Sequence, residues 1–98
     1  MVEIRQRILL WEGAKPKLRR HVRLHYDPVR SAWALLSPER VFWPNEVGLD
    51  ILRLCDGEHS FAAITTSLAE QYEAPQEAIA PDVGAFLQEW SDRFLVTL

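Results

Sequence analysis

Ninety-eight residues, 48% hydrophobic and 26% charged, describe one ordinary globular domain with chain enough for a single modest core, and a lone cysteine excludes a disulfide scaffold. No apolar run is long enough to cross a bilayer or to act as a signal peptide, so the cytoplasm is the expected location. The formal net charge of -3 hides an asymmetry: residues 1–44 carry nine Lys/Arg against four Asp/Glu, a net of +5, and residues 45–98 carry two against ten, a net of -8.

Residues 1–15 show no clean period and end in GAKPK, which reads as a mobile arm ahead of the domain proper, residues 16–98. Within the arm, Ile8, Leu9, Leu10 and Trp11 form an apolar cluster suited to packing on the domain or on a second copy. From Leu18 the pattern becomes alternation. Val22, Leu24 and Tyr26 share one face of a half-buried strand, and His21, Arg23 and His25 share the other. DPVR at 27–30 places Asp and Pro at the first two positions of a type I turn, after which SAWALLS resumes the extended pattern with Trp33 and Leu35 on one side. These two runs make a hairpin. Ser37 and Pro38 supply a second turn, and Arg40 to Trp43 form a third, very short extended run. Because proline cannot donate to a ladder, the bounding Pro38 and Pro44 predict that this run lies at a sheet edge. Val41 and Trp43 fall on one of its faces, Arg40 and Phe42 on the other, and either face is eligible for the core.

After Pro44 the period turns helical. Asn45 is a good N-cap with Glu46 in the first turn, Val47, Ile51 and Leu54 form the apolar stripe, and Gly57 is a natural stop. A second helix begins near Ser60 with Phe61, Ile64, Leu68 and Tyr72 facing inward, joined to the first by the short link DGEHS. The third spans about 75–94, with Ile79, Val83, Phe86, Leu87, Trp90 and Phe94 inside. Its interior Pro81 removes one backbone bond, which predicts either a kink there or a regular helix that starts there. LVTL is left as a short tail. The fold class is therefore α+β: a three-stranded antiparallel sheet followed by three helices, winged-helix-like in outline but with the sheet first.

Catalytic constellations are missing from this chain. Its four glycines are scattered, so no loop cradles a phosphate, and no serine occupies a nucleophile elbow. His21 and His25 flank Arg23 on the solvent face of a strand, where a metal cation would be repelled, and His59 reads as a turn-closing residue. Cys55 reads as a small buried hydrophobe. Trp33 and Trp90 fit core positions by period, whereas Trp11 and Trp43 do not and mark a contact surface. A basic half of this kind suits an acidic peptide or a phosphate backbone. Arg19, Arg20, Arg23 and Arg40 would serve the second in a winged-helix-like DNA binder, but the acidic half opposes it.

RLHYDPVRSAWALLSPERVFWPNEVGLDILRLCDG, followed by FAAITTSLAEQYEAP and DVGAFLQEW, resembles the pyrroloquinoline quinone biosynthesis protein D family over about residues 16–96. The specificity lies in the order and spacing of VRL, the LL-x-PER turn, VGLDIL with RLCDG, and DV-x-x-FL. The resemblance implies a non-catalytic peptide chaperone without a cofactor. Such a protein binds the ribosomally made precursor peptide of the quinone and presents it to a radical S-adenosylmethionine enzyme that crosslinks a glutamate and a tyrosine within it. It further implies that the leader adds as an extra strand at the sheet edge and lies against the third helix. On this chain the edge is Glu39, Arg40, Val41, Phe42 and Trp43, and the helix wall is drawn from Val83, Phe86, Leu87 and Trp90, partly core and partly groove. Arg40 is placed to pair with acidic leader residues. No nucleic acid or membrane partner is implied, while an unpaired edge invites pairing between copies, so a homodimer is a further expectation.

Overall fold

The computed structural model describes residues 9–98. Ile8 and the first part of the expected arm lie outside the described residues. From Leu10 the chain packs on the body: Ala14 is buried, Leu10 lies against the core, and its amide donates to Gln88 Oε1 at 2.9 Å. The amides of Phe61 and Ala62 donate back to the carbonyls of Ala14 and Glu12 at 2.8 and 3.2 Å. Packing therefore begins before residue 16. Strand β1 (Lys17–Leu18) follows at once.

Alternation then builds the sheet. Strands β2 (Arg23–Asp27) and β3 (Ala32–Leu36) pair antiparallel, with Leu24 opposite Leu35 and Tyr26 opposite Trp33. Asp27 closes the hairpin as DPVR predicts: its carboxylate accepts from the amides of Val29 and Arg30 at 2.9 and 3.3 Å, fixing the turn from inside. Strand β4 (Val41–Phe42) pairs antiparallel with β3, so the order is β2-β3-β4. The expected third strand is thus present, trimmed to two residues.

Helix α1 (Glu46–Arg53) is capped by Asn45, whose Oδ1 accepts from the Gly48 amide at 2.8 Å. Helix α2 (Phe61–Gln71) is capped by Ser60, whose Oγ accepts from the Ala63 amide at 3.1 Å. Ile64 and Leu68 are fully buried as the period requires. Phe61 and Tyr72 are only partly covered, and Thr65 and Ala69 complete the inner face instead. Helix α3 (Gln76–Asp92) begins five residues before Pro81 and runs through it, so the regular helix does not start at the proline. Residue 81 is exposed, and the backbone bond that proline cannot make falls where water can replace it.

The end of the chain departs from expectation. Residues 95–98 are not a tail: strand β5 (Val96–Thr97) pairs antiparallel with β1, Leu18 opposite Val96, and both Leu95 and Val96 are buried. The apolar residues of LVTL are the signal, since a free tail has no reason to carry them. Leu35, Ile51, Leu52, Ile64, Leu68 and Leu87 form the centre of the core between sheet and helices.

Candidate functional site

A three-stranded sheet has two edges, and they differ chemically. β2 carries Arg23 and Asp27, charges of the kind that blunt an edge against pairing, with His25 between them. β4 presents Val41 and Phe42, and Pro44 follows it two residues on. The turn before it sets the register. The Ser37 amide donates to the Arg40 carbonyl at 3.0 Å, and Ser37 Oγ accepts from the Arg40 amide at 3.2 Å. In an antiparallel ladder, hydrogen-bonded and non-hydrogen-bonded pairs alternate. Ser37 with Arg40 is a bonded pair, so Leu36 with Val41 is a non-bonded one, and the Val41 amide and carbonyl point away from β3 toward the open side.

The face left undecided by the sequence is settled by packing. Phe42 turns inward and meets the Trp90 ring at 5.4 Å, while Val41 and Trp43 remain 52% and 44% exposed on the outer face. Trp43 is covered in part by the Arg30 guanidinium, 4.8 Å from its ring centre. Trp33, expected in the core, is only half-buried beneath the Arg53 guanidinium at 4.9 Å. Trp11 is 67% exposed, as its position off the period predicts.

The wall expected from α3 divides in two. Val83 and Leu87 are fully buried core residues with no surface to offer a ligand. Phe86 and Trp90, one turn apart, stack at 5.1 Å with planes inclined by 20°, and Trp90 is held between Phe42 and Phe86. Behind Phe86 stands Gly48, where a Cβ atom would come within 2.9 Å of the Phe86 ring. The absence of a side chain at Gly48 is what allows α1 to abut this wall.

At the start of β4 lies a cleft of about 530 Å³, lined by the turn at 37–40, Phe42, His21, and Arg93, Phe94 and Leu95 at the end of α3. Arg40 lies over the Phe42 ring at 5.3 Å. A neighbouring cleft of about 440 Å³ shares His21, Ser37 and Pro38 and adds Arg20 and Arg23. Three of the four arginines singled out from the sequence therefore gather around one turn. Arg19, the fourth, stacks on Phe94 at 5.6 Å. Sequence reasoning missed His21, Arg93 and Phe94 as cleft residues. None of the three carries a local signal: Phe94 follows α3 at a φ of 62°, a conformation that favours glycine and that only the fold reveals.

Three titratable groups away from the cleft sit in structural contacts. Burial pushes the Cys55 thiol up to about 12, and its Sγ donates to the Ile51 carbonyl at 3.3 Å. Amides of His59 and Glu58 hold the Asp56 carboxylate down to about 2, with His59 Nδ1 2.8 Å away, so His59 does close the helix link. The Tyr72 hydroxyl donates to Asp50, which raises Tyr72 to about 12 and ties α2 to α1. Among the described residues no group of three or more His, Cys, Asp or Glu side chains could hold a metal ion, and no helix is long and apolar enough to cross a membrane.

The family model for coenzyme PQQ synthesis protein D (PqqD) matches residues 32–96. A PqqA binding protein of Bradyrhizobium diazoefficiens is 44% identical over 86 residues, covering 88% of this chain and 84% of its own. Among solved structures, the PqqD truncation of Methylobacterium extorquens PqqCD, a functional stand-alone recognition element for ribosomally synthesized and post-translationally modified peptides, superposes with a TM-score of 0.77. That similarity is at 29% identity, over 91% of this chain and 95% of that one. PqqD from Xanthomonas campestris superposes with a TM-score of 0.58 at 32% identity, over 91% and 99%. None of these relatives supports the DNA-binding alternative. With a family model spanning most of the sheet and all three helices, the chain belongs to the coenzyme PQQ synthesis protein D family.

Proposed function

We propose that this chain is a non-catalytic cytoplasmic chaperone that binds the ribosomally made precursor peptide of pyrroloquinoline quinone. The peptide adds as a strand beside β4 at residues 39–43, rests against Phe86 and Trp90, and is presented to a radical S-adenosylmethionine enzyme held on another face. The observation that carries this reading is the Val41 amide and carbonyl, turned outward beside an aromatic helix wall. An extended peptide pairs with such an edge through its backbone, and alternate side chains set its register. The relatives named PqqA binding proteins support the identity of the peptide.

Titrating isotope-labelled protein with the precursor peptide tests it. Amide shifts are expected at residues 39–43 and along α3 near Phe86 and Trp90, and an unshifted spectrum at micromolar peptide refutes the reading. The same edge suits a second copy of the chain when peptide is absent, which light scattering across a concentration series detects as a mass that rises toward the dimer.

A further inference from the structure

Resting on the peptide-binding reading above, we propose that the cleft at the start of β4 is a carboxylate site. It takes an Asp or Glu side chain of the bound peptide, next to the segment that pairs with the strand.

Position is the first reason. The cleft is walled by the β3-to-β4 turn on one side and by the end of α3 on the other, the strand edge and the helix that the peptide-binding reading assigns to the peptide. An extended peptide lying on the edge of β4 runs into it. Charge is the second. Arg40 and Arg93 line the cleft against one lining carboxylate, Glu39, and the His21 imidazole adds a polar group beside them. Arg93 Nη2 donates to Glu89 Oε1 at 2.8 Å, which leaves other donors of its five N–H groups for a ligand. Among the described residues Arg40 pairs with no carboxylate. Its guanidinium lies over the Phe42 ring, and a stacked guanidinium still presents its N–H edge for a bidentate carboxylate.

The third reason lies behind the lining. Arg19 stacks on Phe94, and its Nε is buried without a hydrogen-bond partner among the described residues, so positive charge backs the cleft. Arg20 and Arg23 extend the positive field over the adjoining cleft, which steers an acidic segment toward this end of the strand. Phe42, Phe94 and Leu95 supply an apolar floor that fits the methylenes of a Glu or Asp and lowers the local dielectric around its carboxylate.

A thermodynamic cycle tests the site. The precursor peptide and a set of variants, each with one Asp or Glu changed to Asn or Gln, are titrated against the full chain, Arg40→Gln and Arg93→Gln by calorimetry. One acid position is expected to lose about five- to tenfold in affinity on the unchanged protein, with most of that loss absent on Arg40→Gln. Both arginines are at the surface, so unchanged thermal midpoints confirm that each variant is folded. Overturning results are equal losses on all three proteins at every acid position, or no loss at any. If the unchanged peptide fails to bind the unchanged protein, the peptide-binding reading itself falls. If it binds without coupling to either arginine, only the carboxylate site falls.

Discussion

Phe42 of the edge strand meets Trp90 of the last helix with ring centres 5.4 Å apart and planes inclined by 56°. This contact joins sheet to helix beside the open edge of β4. Trp90 is 7% exposed because Phe42 and Phe86 cover its two sides, so the wall is also a margin of the core. Substitutions here are expected to divide into those that unfold the protein and those that spare the fold but weaken peptide binding.

Leu87→Ala and Phe86→Ala separate the two effects. Leu87 is fully buried, so its truncation is expected to cost about 2–5 kcal/mol of stability in a denaturant titration. Phe86 is half-buried, so its truncation costs less stability and instead weakens peptide binding, about tenfold by calorimetry. Equal stability losses for the two variants would contradict the division of α3 into core and wall.

Val41→Pro removes a backbone donor that points outward and leaves the β3–β4 ladder intact. Peptide affinity is expected to fall tenfold or more while the thermal midpoint moves by only a few degrees. Phe42→Pro is the contrasting variant, because its amide faces β3 and its loss breaks the native ladder. Retained affinity in Val41→Pro would show that the peptide binds by some other mode than strand addition.

Asn45→Ala deletes the acceptor for the Gly48 amide and is expected to cost about 1 kcal/mol, or roughly 5 °C in thermal midpoint for a domain of this size. Ser60→Ala on α2 is expected to cost a similar amount. Gly48→Ala favours the helix intrinsically, yet its new methyl presses on the Phe86 ring, so peptide affinity falls even where stability is unchanged.

Cys55 titrates at about 12 in the folded chain against an ordinary value of 9.0. The unfolded chain therefore releases this proton first. Stability from this group is complete below pH 9 and is lost as pH rises from 9 toward 12. Tyr72, raised from 10.0 to about 12 by its bond to Asp50, adds a parallel loss that begins one unit later. Cys55→Ala is expected to flatten the decline between pH 9 and 10 in urea melts. The native thiol is also expected to resist labelling by a disulfide reagent at pH 8 and to react once the chain is unfolded.

Much of the fold was legible because its signals are short-range. Asp27 and the DPVR turn, the caps at Asn45 and Ser60, and the prolines around residues 39–43 each act within a few residues of themselves. Pro81 was the exception among local signals. An exposed proline costs one bond, and the burial of Val83, Leu87 and Trp90 outweighs it. The β1–β5 pair escaped notice because two-residue strands show no period, and their pairing joins the two ends of the chain.

By itself the sequence determined the β2–β3 hairpin, the capped starts of α1 and α2, and that a proline-bounded strand closes the sheet. Period, capping and the missing proline donor are properties of neighbouring residues, and they hold wherever the segment comes to rest. Tertiary structure alone decided that Phe42 faces the core and Val41 faces out, that Phe86 and Trp90 stack beside Phe42 while Val83 and Leu87 are fully buried, and that Arg40 and Arg93 line one cleft. Those choices depend on which surfaces remain to be buried once distant segments have packed against each other, and no local pattern encodes that competition.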